Sequence, residues 1–191
     1  MKRILGVLVL GFTFMTPQVF ADSPPVKKVY DTIVLHSASL SQNATIDNKQ
    51  VYKGFGCEGE NLSPQISWEG IPAEAKSLAL TYYDPDAPSG SGWWHWTVFN
   101  IPTSVAEIPE GVSGTDAMPK GAIEGRTDFG ESKFGGSCPP VGDKPHRYFL
   151  TLHALDVEKL DLDAHAPGAM VGYFINAHSL GQAQIMAVYG R

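Results

Sequence analysis

Between Tyr30 and Tyr189 the apolar positions fall into short runs bounded by Pro, Gly or Asp. Tyr30–Leu35, Ser77–Tyr83, Trp93–Asn100, Arg147–Leu155 and Ala183–Tyr189 are rich in β-branched, aromatic and aliphatic residues and read as strands. Helical periodicity is scarce. Residues 168–180 carry it best, with Ala169, Met170, Tyr173, Phe174 and Ala177 as the apolar stripe and Gly181 as the C-terminal stop. Val157–Leu160 fits one further helical turn. Residues 101–141 show little period. A connection of that length is usually functional or pinned, and Arg126–Phe129 are the candidate pins. Strands outnumber helices, so the predicted fold is mainly β, an antiparallel β-sandwich with a few peripheral helices.

Residues 1–21 stand apart from this pattern. A basic Met1-Lys2-Arg3 start, an apolar run from Ile4 to Met15 and a small-x-small Val19-Phe20-Ala21 form a secretory signal. The run is short for a membrane span, which needs about 20 residues. The expected mature protein is one domain over residues 22–191, periplasmic or secreted, with no transmembrane segment once the signal is cleaved. Without Lys2 and Arg3, 12 basic side chains face 20 acidic ones. Such a surface repels nucleic acid and anionic lipid surfaces, so any bound anion must be held by local geometry. The two cysteines, Cys57 and Cys138, pair as a disulfide if the chain is exported and stay buried thiols if it is not. Export favours the disulfide. Asn43-Ala44-Thr45 and Asn61-Leu62-Ser63 match the glycosylation sequon, a short motif that carries no meaning if the source is bacterial.

Three stretches carry candidate chemistry. In Asp84-Pro85-Asp86-Ala87-Pro88 a strand delivers Asp84 to its end and two prolines stiffen the loop. Asp86 reads first as a turn residue capping backbone N–H groups. In Trp93–Asn100, strict alternation puts Trp93, His95, Thr97 and Phe99 on one face and Trp94, Trp96, Val98 and Asn100 on the other. If this strand pairs with the one ending at Asp84, the carboxylate would fix the tautomer of His95 and favour its charged form. The competing reading is a core histidine satisfied by backbone. In Phe134–Leu150, Gly135-Gly136 allows close approach, and His146 and Tyr148 share a strand face opposite Arg147. Two donors beside glycine N–H groups suit a small oxyanion. His36, His153, His165 and His178 have no partner motif and read as structural or exposed, and Asp156, Glu158, Asp161 and Asp163 as a solvated surface.

"DPDAP", "WWHW", "GGSCPP" and "PHRY", in that order, resemble the phosphatidylethanolamine-binding protein family, also called Raf kinase inhibitor-like. "GFGCEGENLSPQISWEG", residues 54–70, is similar to its exported bacterial members. The resemblance covers nearly all of the mature chain. It implies a β-sandwich with a small anion pocket made by Asp84, His95, Pro140, His146 and Tyr148, with Trp68 and Trp93 as apolar walls and Asp86 beside them. It implies a ligand that is a phosphoryl anion or phospholipid headgroup, and no cofactor, metal or catalytic residue. Cys138 stands where animal members tend to carry glycine, which bears on pocket shape.

Two other classes compete. One is a protein-interaction module or inhibitor of a kinase or protease, whose pocket reads a phosphorylated or acidic loop. The other is a hydrolase using Asp84, His95 and His146. No HExxH or GxSxG motif supports an enzyme. A homodimer is left open.

Overall fold

A computed structural model describes residues 31–191. The signal segment and Tyr30 lie outside the described residues. The strands are β1 (Val34–His36), β2 (Lys53–Gly54), β3 (Cys57–Glu58), β4 (Ile66–Glu69), β5 (Ser77–Asp84), β6 (Trp93–Ile101), β7 (Glu107–Ile108), β8 (Ile123–Glu124), β9 (His146–Leu155) and β10 (Ser179–Tyr189). The α-helix, α1, spans Gly168–His178, and a single 3-10 turn covers Asn48–Gln50. The fold is therefore mainly β, with one α-helix among the described residues rather than several.

The long, fully apolar runs form the middle of a five-stranded antiparallel sheet, ordered β10-β9-β5-β6-β8. One face of it packs on a three-stranded sheet, β1-β4-β7. Leu78, Leu80, Trp96, Val98, Leu150 and Leu152 from the large sheet meet Ile66, Trp68 and Ile108 from the small one, all buried. The other face carries α1, where Ala79, Phe99 and Leu155 pack with Val171 and Ile175.

The helix differs from its expected form. Its buried residues are Gly168, Val171 and Ile175, while Met170 and Tyr173 are exposed. The cause is glycine. A Cβ at Gly168 would lie 2.3 Å from the Trp94 ring, so the glycine edge is the one that can approach the sheet. The helix ends at His178, and β10 begins at the next residue. Gly181 is thus inside β10, next to a register shift, and does not stop the helix. Residues 156–158 form a bend, not a helical turn.

The long middle segment is pinned, as expected. Trp94 N–H donates to Asp128 Oδ2 at 2.7 Å, and Asp128 N–H donates back to Trp94 O at 3.0 Å. Glu124 accepts from Trp96 Nε1 at 2.6 Å, from Gly114 N–H at 2.8 Å and from the Ser113 hydroxyl. These bonds carry Phe129 and residues 134–138 to the end of β5 and β6. Asn61, the second sequon asparagine, helps to hold the same segment. Its Oδ1 accepts from Gly136 N–H at 2.7 Å.

Candidate functional site

β5 and β6 pair antiparallel with Asp84 opposite Trp93, as the sequence suggested. The pairing is not regular. Tyr82 faces Trp96 but Tyr83 faces Trp94, so His95 is the extra residue of a β-bulge. The bulge breaks the expected alternation. His95 and Trp96 both turn to the inner side, His95 against Tyr82 and Tyr148 and Trp96 against Phe134. Phe99 goes to the helix side, where Trp94 also packs.

The bulge also changes the partner of Asp84. Its Oδ2 accepts from His146 Nδ1 at 2.8 Å, and both side chains are 3% exposed. Its Oδ1 accepts from Asp86 N–H at 2.8 Å and Ala87 N–H at 3.1 Å. Both oxygens are thus occupied, one in shaping the loop and one in fixing His146. His95, expected beside Asp84, instead donates from Nδ1 to the carbonyls of Gly135 at 2.8 Å and Gly136 at 3.1 Å. Burial pushes its pKa down to about 4, against the opposing pull of the Gly135 carbonyl and the Asp84 charge. With Nδ1–H held by carbonyls, the neutral ring keeps its lone pair on Nε2.

The Gly135 and Gly136 amides were expected to face the anion. They do not: Gly135 N–H donates to His95 O at 2.9 Å, and Gly136 N–H goes to Asn61. Asp86 is likewise outside the cleft lining. It takes a two-pronged contact from Arg147, Nε at 2.9 Å and Nη2 at 2.8 Å, plus Arg147 N–H at 2.9 Å. Those bonds hold its carboxyl well below the usual range.

A cleft of about 160 Å³ opens over this cluster. Asp84, His95, Trp93, Pro140 and His146 line it, as the sequence had grouped them. Tyr148 lies one layer deeper, its ring against His95 with centroids 5.3 Å apart. Burial, and then the Asp84 charge, raise its phenol pKa. Trp68 does not reach the site. It sits on β4 in the small sheet, buried in the core, with Nε1 donating to Val105 O at 3.1 Å.

Two wall residues had no sequence signal of their own. Phe55 and Phe129 complete the lining, and their rings stack with centroids 5.8 Å apart. Phe129 rests on Gly135, where a Cβ would approach its ring to 2.3 Å. Phe55 is held by the Cys57–Cys138 disulfide and by the C-terminal Arg191. The Arg191 guanidinium donates to Pro139 O at 2.7 Å, Gly56 O at 2.7 Å and Phe55 O at 3.1 Å. Asp143 is a further missed neighbour, with Oδ2 at 3.4 Å from His146 Nε2.

Two buried polar atoms of this region have no hydrogen-bond partner among the described residues: Trp93 Nε1 and Tyr148 Oη. The indole N–H can only donate. Among the described residues no group of three or more His, Cys, Asp or Glu has the geometry to hold a metal ion.

Residues 36–190 match the profile of the family described as phosphatidylethanolamine-binding protein. The chain is 48% identical to the UPF0098 protein YbcL of Escherichia coli K12, over 99% of this chain and 98% of that one. It is 46% identical to the UPF0098 protein YbhB of the same organism, over 81% of this chain and 98% of that one. The crystal structure of Escherichia coli YbcL, a member of the mammalian PEBP family, superposes with a TM-score of 0.82, covering 84% of this chain and 99% of that one at 46% identity. The motif order, the bulged β5–β6 pair with its cleft and the match across residues 36–190 lead to one assignment: this chain belongs to the phosphatidylethanolamine-binding protein family.

Proposed function

We propose that the protein is a non-catalytic binding protein whose cleft takes a phosphoryl group, as free phosphate or as a phospholipid headgroup. The observation that carries this reading is the buried Trp93 Nε1–H, a donor with no protein acceptor among the described residues, on the wall of a cleft that also holds His95 and His146. An unpaired buried donor costs about 1–3 kcal/mol, which a phosphoryl oxygen would recover. His146 is oriented by Asp84 and presents its Nε2 side toward the mouth near Asp143. His95 offers a lone pair from Nε2, which suits the P–O–H of a singly protonated phosphate. The aromatic walls exclude water and strengthen each of these bonds. A catalytic role finds less support, because Cys138 is locked in the disulfide and both Asp84 oxygens are occupied.

The disulfide also supports an exported location, with residues 1–21 as the removed signal. Intact-mass measurement on secreted material should give a chain starting near Asp22; a retained Met1 in a membrane fraction would contradict this. No helix among the described residues is long and apolar enough to cross a membrane.

Titration calorimetry with phosphate, phosphoethanolamine and ethanolamine tests the site. Both phosphoryl ligands should bind weakly and ethanolamine alone should not. Affinity should rise from pH 8 to pH 6, as phosphate gains the proton that His95 accepts. Trp93→Phe and His146→Ala should each weaken binding by about tenfold, the scale of one lost hydrogen bond to a charged group. Asp161→Ala, on the remote surface, should not. Equal phosphate binding by all variants overturns the assignment. The interaction-module reading gains from one feature: Phe55, on the cleft wall, and Val141, next to Pro140, are 69% and 76% exposed, a rim that a partner's acidic loop could cover.

A further inference from the structure

The five-stranded sheet has an outer face that α1 covers only in part. Beyond the helix, side chains of β5, β6, β9 and β10 line an open cleft of about 340 Å³, within the usual range of ligand sites, ~300–1,000 Å³. Its walls are aromatic: Tyr83, Trp94 and Phe149, with the Tyr83 and Trp94 rings 4.6 Å apart. No lining residue is Asp, Glu, Lys or Arg. The polar groups are amides and hydroxyls. Gln184 Nε2 donates to Thr151 Oγ1 at 2.8 Å, and Asn176 and Gln182 stand exposed at the rim.

His153 lies at the floor. It is 7% exposed, and its Nδ1 has no hydrogen-bond partner among the described residues. Burial pushes its pKa down to about 4, so the ring is neutral at pH 7. Nδ1 is closed to the cleft as it is to water, so Nε2 is the ring nitrogen that a ligand can reach, and a purely apolar ligand would leave it without a partner. A charged ligand would enter a cleft with no counter-charge to meet it. A ligand with apolar faces and a rim of hydroxyls answers both conditions. Hydroxyls donate and accept, as do the side-chain amides and the neutral imidazole around them.

We propose that this cleft binds a neutral carbohydrate of one or two pyranose rings, lying against Tyr83, Trp94 and Phe149 and hydrogen-bonded to His153, Gln182 and Gln184. The C–H face of the sugar packs on aromatic carbon, and a hydroxyl meets His153 Nε2. The site is separate from the phosphoryl cleft and shares no lining residue with it.

The test is a set of ¹H–¹⁵N titrations of the protein with glucose, galactose, N-acetylglucosamine, maltose and cellobiose. The Kd is expected on the order of 1 mM, since the cleft is open and contacts are few. At least one sugar should move the Trp94 indole and the Gln182 and Gln184 side-chain amides saturably, and leave the Trp93 indole in place. Q182A/Q184A changes two side chains on the outer face of the sheet, so the fold is retained. It should weaken the sugar by about tenfold and leave phosphate binding unchanged. Three outcomes overturn the proposal: no saturable shift with any sugar, shifts indifferent to Q182A/Q184A, or a stronger response to indole or benzoate than to every sugar.

Discussion

Adjacent residues of the β5–β6 pair serve two clefts of opposite chemistry. Asp84, Trp93 and His95 line one, which is small and walled by proline, phenylalanine and a disulfide cysteine. Tyr83 and Trp94 line the other, which is wider and carries only neutral groups. Strand pleating alone sends neighbours to opposite faces. The bulge at His95 does more: it brings His95 and Trp96 inward together and leaves Trp94 for the helix side. The small cleft is held by distant chain segments, through the Cys57–Cys138 bond, Arg191 and the Asp128–Trp94 pairing. The wide one depends on the sheet itself and on the glycine edge of α1. Perturbations should therefore separate the two.

The largest effect should come from the disulfide. It joins residues 81 apart in sequence. Cys57→Ser/Cys138→Ser should lower unfolding free energy by about 4 kcal/mol in the chain-entropy picture. Denaturant titration measures that loss. Phosphate binding should weaken as the Phe55 wall loosens, while spectra of the outer cleft stay unchanged. Disturbance of both clefts alike would break the contrast.

Next is Asp84→Ala, which strips a buried histidine of its carboxylate and the loop of an acceptor for two N–H groups. The expected loss is about 3 kcal/mol in urea unfolding. Asp84→Asn should recover part of it, because the amide oxygen can still accept from His146.

One feature the two clefts share is a buried neutral histidine, His95 in one and His153 in the other, each with its pKa lowered to about 4. The unfolded chain binds these protons near pH 6.5 and the folded chain only near pH 4. Stability is thus fully present above pH 6.5 and is lost as pH falls toward 4, by up to roughly 3 kcal/mol per histidine. His153→Phe should remove one share of this acid sensitivity and leave phosphate binding intact.

The smallest effect is expected at Trp68→Phe. It removes the bond to Val105 O, about 1 kcal/mol, and should change phosphate affinity by less than about twofold.

How far the sequence could be read follows from the same geometry. Asp84, Trp93, His95, Pro140 and His146 were legible because each sits in or beside a strand with a clear pattern, and their motifs resembled a known family. The Asp84–His146 pairing was not legible, since a bulge depends on the partner strand's register and alternation within β6 carries no trace of it. Phe55 and Phe129 were missed because they lie in segments without period, positioned by a disulfide and by backbone bonds from afar. Trp68 was misplaced because aromatic character does not say which sheet a short strand joins. The helix stripe was misassigned because apolar counting ignores glycine, and at Gly168 close approach to Trp94 outweighs hydrophobicity. His153 was read as structural or exposed for want of a motif; its position on β9 facing out of the sheet was the only clue to the outer cleft.

The indole region of the ¹H–¹⁵N spectrum offers the most direct test of the phosphoryl site, since the chain holds four tryptophans. Trp68 and Trp96 indole N–H groups already donate, to Val105 O and Glu124 Oε1, while that of Trp93 has no acceptor among the described residues. Added phosphate should move the Trp93 resonance downfield, saturably and more than the other three, with the effect growing from pH 8 to pH 6. A Trp93 resonance that stays fixed while phosphate binds, or a protein that binds no phosphate at either pH, would contradict the account.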